Sequence, residues 1–232
     1  MDFALSDEQE ALAGAERAWL AKNDPIAARR PGIDDGPART TAAGVRHLAE
    51  SGLIGLLTQD AGGTQVDLAV LVEEHGRAAS PLPVAELALA TRLLEQLDHP
   101  AYEAAESGAE LVVPGLTSLE NPALHAQIDG TRLRLRGTTA PVTGLIDAHS
   151  VLLVAATDSG AEVGAVVPVD AVSIRILESL DVTRSGRSPT CTSTSTKVRG
   201  RHCSTAPSPS YTTHCRRSAP WMHSARPPAS SR

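Results

Sequence analysis

The chain has 232 residues, 21 Lys and Arg against 27 Asp and Glu, a net charge of −6 and only 2% aromatic residues. All 27 acids fall within residues 1–181 beside 12 basic residues, whereas residues 182–232 hold nine basic residues and no acid. An acidic body argues against a nucleic-acid or anionic-membrane surface there, and the longest apolar runs, such as Val151 to Ala156, are too short to span a bilayer.

The chain opens Met1-Asp2-Phe3-Ala4-Leu5-Ser6-Asp7-Glu8, without a basic stretch followed by an apolar one, so no signal peptide is expected and a cytoplasmic protein is the default. Ser6-Asp7-Glu8-Gln9 reads as a capping box at the start of a helix, with Leu12, Ala15 and Trp19 on one face. Pro31 to Pro37 is a Gly/Pro/Asp loop, read as a surface connection. A second helix fits Thr41 to Ser51, with Val45, Leu48 and Ala49 inward and Gly52 ending it. Leu68, Leu71, Val72 and His75 give a third stripe, and Pro83 opens a fourth, in which Val84, Leu87, Leu94 and Leu97 line up before His99-Pro100. Amphipathic helices joined by short loops predict a helical bundle over residues 1–109.

After Gly108 the apolar period changes from 3.6 to 2. Leu111-Val112-Val113 starts an extended run, Asp129-Gly130 signals a hairpin, and Arg132-Leu133-Arg134-Leu135-Arg136 alternates as a half-buried strand does. Ser150–Ala156, Glu162–Val169 and Val172–Leu177 supply further strands. The expected fold class is α+β, an N-terminal helical bundle followed by a small antiparallel β domain over residues 110–184. The alternating arginines read as a solvated strand face.

Residues 185–232 are different in kind. From Val182 onward there is no Leu, Ile, Phe, Asp or Glu, while Ser, Thr, Pro, Arg and all three cysteines accumulate. Such a composition predicts a disordered tail. It also reads as a frame slip. When the third base of each codon is placed before the first two of the next, a GC-rich gene turns Ser into Val or Leu, Thr into Asp or His, and Cys into Leu or Val. From Ser188 onward this yields A-D-V-H-L-D-V-D-E-G and later a helical pattern ending G-A-A-A-R. Trp221-Met222 converts without choice to Asp, and Met222-His223 to Ala. The recovered string has the body's leucines and acids. The rival reading is metal binding, from evenly spaced Cys191, Cys203 and Cys215 with His202 and His214 before two of them, although close ligand pairs such as C-x2-C are missing.

The motifs of the body, taken in order, resemble those of the acyl-CoA dehydrogenase family. They are Met1-Asp2-Phe3 with Leu5-Ser6-Asp7-Glu8-Gln9, Leu48-Ala49-Glu50-Ser51-Gly52-Leu53-Ile54-Gly55-Leu56, then Asp60-Ala61-Gly62-Gly63, Val72-Glu73-Glu74-His75-Gly76-Arg77 and Ser80-Pro81-Leu82-Pro83. Gln59-Asp60 stands where the family has Pro-Glu. The displaced reading adds D-V-H-L-D after Leu180-Asp181-Val182-Thr183-Arg184.

The resemblance implies FAD held between the β domain and a C-terminal helical domain, an acyl-CoA substrate desaturated at its α,β bond, electron-transfer flavoprotein as acceptor, and a homo- or hetero-oligomer. It implies no catalytic residue in this chain, because the family's glutamate base would follow Arg232 in the original frame; the chain is then truncated and inactive alone. Two flavin-contacting segments can be matched. The family's Thr-Glu-Pro…Gly-Ser-Asp falls near Leu116-Thr117-Ser118-Leu119-Glu120, where Thr117 alone matches. Its Trp-Ile-Thr-Asn-Gly falls near Pro141-Val142-Thr143-Gly144, where Thr143 aligns and the Trp is absent. Thr117 and Thr143 are therefore the candidate cofactor contacts. Asp147-Ala148 resembles the family's Ala-Asp in reversed order. No metal site is expected in the body: Asp34-Asp35 has no partner at ligand spacing, and His47 and His75 read as structural. The alternatives are a catalytically silent subunit of a heteromeric acyl-CoA dehydrogenase and a non-enzymatic protein using its basic Cys/His tail to bind partners or metal.

Overall fold

The computed structural model describes residues 4–29, 40–115, 124–129, 132–159, 162–177, 188–198 and 215–216. Six helices come first among them: α1 (Asp7–Asn23), α2 (Pro25–Arg29), α3 (Ala42–Glu50), α4 (Gln65–Arg77), α5 (Val84–Gln96) and α6 (Tyr102–Glu106). The strands follow: β1 (Val112–Gly115), β2 (Leu124–Asp129), β3 (Arg132–Pro141), β4 (Ser150–Thr157), β5 (Glu162–Pro168), β6 (Ser173–Leu177), β7 (Ser188–Val198) and β8 (Cys215–Arg216). This is the α+β order that the change of period announces.

The helix starts obey local chemistry. At α1 the Gln9 amide donates to Ser6 Oγ at 3.2 Å and the Ser6 amide to Gln9 Oε1 at 3.1 Å, the expected capping box. Thr64 and Asp67 form a second box at α4, and Thr41 caps α3 through the Gly44 amide. Gly52, with φ of 69°, turns the chain after α3 where a side chain would be strained. The face of α1 differs from the expected one: Ala13, Glu16 and Leu20 are buried, Leu12 and Trp19 flank them, and Ala15 is exposed. Two polar partners on neighbouring helices, His47 and His75, draw Glu16 inward and rotate the buried stripe by one position. On α4 the same thing happens in reverse, with Val72 exposed and Glu74 buried.

The sheet order is β6-β7-β3-β2-β4-β5-β8, with β1 also on β4. It is mixed, since β1 and β2 both run parallel to β4 and share one of its edges, whereas the other pairs are antiparallel. Gly115 lies opposite Leu153 and Leu124 opposite Ala155, so the edge of β4 passes from one strand to the next across the segment 116–123. Asp129 pairs with Arg132 as the Asp-Gly hairpin signal requires. Along β3, Leu133 and Leu135 point into the core and Arg134 and Arg136 outward.

Residues 185–232, expected to be disordered, contribute β7 and β8 to the sheet. Threonine-rich Ser188–Val198 suits an extended chain, and it fills the place between β3 and β6, two strands that would otherwise each carry a row of unpaired backbone groups. The loop Pro31–Pro37, Asp34-Asp35, Cys203, His202 and His214 lie outside the described residues.

One apolar cluster runs from Leu48, Ile54 and Leu71 in the helical block to Leu135, Val151 and Val163 in the sheet. A smaller one joins Ala90 and Leu94 of α5 to Val112 and Leu152. The helices are thereby seated on β1 and β4. Among the described residues no helix is long and apolar enough to cross a membrane.

Candidate functional site

Of the two segments singled out by sequence, the one carrying Thr143 packs beside β1, and Thr117 lies outside the described residues. β1 ends at Gly115, where a Cβ would sit 2.5 Å from Leu153 Cδ2 and 3.4 Å from Thr139 Cγ2. Thr143 opens the turn 143–147 after β3, and a Cβ on Gly144 would sit 3.5 Å from Val113 Cγ1. Val113 and Gly115 are two residues apart, about 7 Å along the strand.

The turn is gripped by the helical block. Gly144 has φ of 74°, and a Cβ there would also sit 2.8 Å from both Cβ and Cγ of Pro83. Leu145 is fully buried behind it. The amide of Asp147 donates to Gly144 O at 3.1 Å, and its carboxylate accepts from the Thr40 amide at 2.7 Å, tying the turn to the approach of α3. Thr143 itself is half-buried and makes a polar interaction within the fold. Beyond Asp147 a cleft of about 530 Å³ opens between the helices and the sheet, lined by Thr41, Arg46, Glu50, Ser107, Asp147 and His149 among others.

Thr143 thus sits on a glycine turn beside β1, a strand that ends in a tightly packed glycine.

The most highly organised polar cluster lies elsewhere. Glu16 on α1 accepts from His47 Nε2 at 2.8 Å and from His75 Nε2 at 3.2 Å, and its side chain is 3% exposed. Burial pushes this carboxyl's pKa up, but the hydrogen bonds and charges of His75 and His47 outweigh it and hold the group below the usual carboxylate range. The His47 ring stacks on Trp19 with centroids 4.0 Å apart. His75 Nδ1 meets Ser80 Oγ at 3.0 Å. Beside it Arg17 donates two hydrogen bonds to Glu74, at 3.0 and 2.6 Å, which lowers the Glu74 pKa. Near α6, Tyr102 donates to Glu106 at 2.8 Å, and burial together with that carboxylate pushes the phenol up to about 12.

His47 and His75, read from sequence as structural, both bond to Glu16, a residue the sequence did not single out. The available signal was an acid on the apolar face of a helix, one turn from Trp19. Among the described residues no group of three or more His, Cys, Asp or Glu is placed to hold a metal ion.

No protein-family model matches the sequence, and no curated protein matches it. Solved structures do match in fold. The ChsE4–ChsE5 complex from Mycobacterium tuberculosis superposes with a TM-score of 0.67 at 19% identity, over 87% of this chain and 58% of that one. The Tcur3481–Tcur3483 steroid ACAD gives 0.65 at 19%, over 85% and 57%. A glutaryl-CoA dehydrogenase from Mycobacterium smegmatis in complex with FADH2 gives 0.62 at 16%, over 85% and 55%. The chain therefore has the fold found in acyl-CoA dehydrogenases and spans between half and three-fifths of these neighbours' length.

Proposed function

We propose that this chain is the helical and β-sheet portion of an FAD-dependent acyl-CoA dehydrogenase, a cytoplasmic oxidoreductase that desaturates an acyl-CoA thioester. The observation that carries this reading is that two independent lines meet: the ordered motifs from Met1 to Pro83, and a fold shared with acyl-CoA dehydrogenases over 80% or more of the chain. The flavin, when bound, accepts hydride from the substrate's β-carbon.

Within this chain, Thr143 and Thr117 would hydrogen-bond the flavin ring, as the family motifs they match imply. Pro83 and Thr40 hold the turn that carries Thr143. The family resemblance assigns no base for the α-proton to residues 1–232; these residues would supply the β-sheet side of the flavin site. Residues 185–232 are best read as a displaced frame whose corrected version continues the same protein, and sequencing the gene from independent clones tests that directly. The heteromeric complexes among the neighbours support an oligomer, and electron-transfer flavoprotein as the acceptor follows from the family resemblance alone.

No observation favours a catalytically silent subunit or a metal-binding interaction protein over this reading. The test is titration of the purified chain with FAD, followed by flavin fluorescence. Quenching that saturates, and that weakens about tenfold in Thr143→Ala and Thr117→Ala, is the expected result. A chain that binds no flavin in any state would overturn the proposal.

A further inference from the structure

The turn that carries Thr143 rests on the loop between α4 and α5, and that loop is fixed by a buried chain of polar groups. A carboxylate only accepts, so each histidine presents an Nε2–H to Glu16. His75 Nδ1 meets the Ser80 hydroxyl at 3.0 Å, and Ser80 Oγ in turn accepts from the Leu82 amide at 3.4 Å. The backbone repeats the tie, since the Ser80 amide donates to His75 O at 2.9 Å. Glu16, His75 and Ser80 are each more than nine-tenths buried.

Two residues beyond Ser80 the loop makes its outward contacts. Leu82 fills the space over Gly44 of α3, where a Cβ would come within 2.7 Å of its two methyl carbons. Pro83 lies against Gly144. The path from Glu16 to the turn is continuous: carboxylate, imidazole, hydroxyl, two prolines' worth of stiff backbone, and the glycine beside Thr143. Proline limits the give in that segment, because φ of Pro81 and Pro83 is fixed by their rings.

We propose that His75, held between Glu16 and Ser80, is a positioning residue for the turn 143–147. It sets where Pro83 stands, and Pro83 sets where Gly144 and Thr143 stand. The proposal rests on the flavin-facing reading of Thr143 for its functional meaning, but not for its geometry.

Amide hydrogen exchange on the full chain tests it. Asp147 and Ala148 report the turn, through their bonds to Gly144 O and Leu145 O. Ala155 and Val163, a hydrogen-bonded pair in the register set by Val169 N–H to His149 O, report the distant part of the β4–β5 ladder. Ser80→Ala should speed exchange at Asp147 and Ala148 about tenfold and leave the ladder unchanged, and Ser80→Thr, which keeps the hydroxyl, should restore it. Pro83→Ala should loosen the turn equally without altering exchange at Ser80, which guards against a Ser80→Ala protein that does not fold. An unchanged turn in both Ser80→Ala and Pro83→Ala would sink the proposal, as would acceleration that the ladder shares equally. FAD titration of the same proteins separates the two readings. Exchange that responds in a chain without flavin affinity keeps the positioning role and removes the flavin reading, and the opposite result does the reverse.

Discussion

A carboxylate inside a helical core is costly unless each oxygen meets a donor, and Glu16 meets two, His47 and His75. Glutamine at this position keeps the shape but turns an amide N–H toward an imidazole N–H. Glu16→Gln should therefore lower stability by about 1–3 kcal/mol in urea unfolding. The pH dependence has a definite sign. The folded-state pKa is depressed below the ordinary 4.5, so the contribution is full above that value and is lost as pH falls through the lower folded one. Wild type should lose stability along this acid limb more steeply than Glu16→Gln, measured as the urea midpoint against pH. Gly144 gives a second expectation at this scale. Alanine there would combine a strained φ with a clash on Pro83, so Gly144→Ala should cost about 1–3 kcal/mol, whereas Gly14→Ala, whose Cβ meets nothing within 4 Å, should not. Neither Glu16 nor Gly144 could be ranked from sequence, because burial of an acid and closeness of a proline 61 residues away are properties of the packed chain.

At the scale of elements, the helix ends were the most readable features. Capping depends on residues within four positions of each other, so Ser6-x-x-Gln9 could be recognised without knowing what the helix packs on. The box at α4 shows the same locality, and Thr64→Ala should cost about 1 kcal/mol of thermal stability with Thr64→Ser close to wild type. The helix faces were read less well. Leu12 and Trp19 suggested a stripe one position from the true one because apolar count alone ignores polar residues that are paired inside. Strand positions followed from alternation, as Leu133 and Leu135 show, but strand partners did not. Nothing in the period of β1 or β2 says that both run parallel to β4, because parallel pairing is decided by how the connections return. The strand at Ser188–Val198 was missed for a related reason: its threonines allow either state, and the open edges of β3 and β6 select one.

For the whole molecule, continuity of the core between helices and sheet has a measurable consequence. Leu94 on α5 is fully buried against Val112 and Leu152. Leu94→Ala should cost about 2–5 kcal/mol and shift the loss of helix and the loss of sheet together. Far-ultraviolet circular dichroism and Trp19 fluorescence, in a Trp221→Phe background, should report coincident transitions. Separate transitions would show that the helical block and the sheet fold as independent units.

Local patterns along the chain were enough to establish the order of the halves, the helix caps, the Asp-Gly hairpin and the change of composition after Asp181, because each depends on residues close together in the chain. They also pointed to two threonines through short motifs. Folding was needed to show that the turn of Thr143 packs beside β1, that Pro83 and Thr40 grip it, and that an acid lies at the centre of the helices. Those are contacts between residues about 30 to more than 100 positions apart, and no local pattern encodes which distant surface will be packed against which.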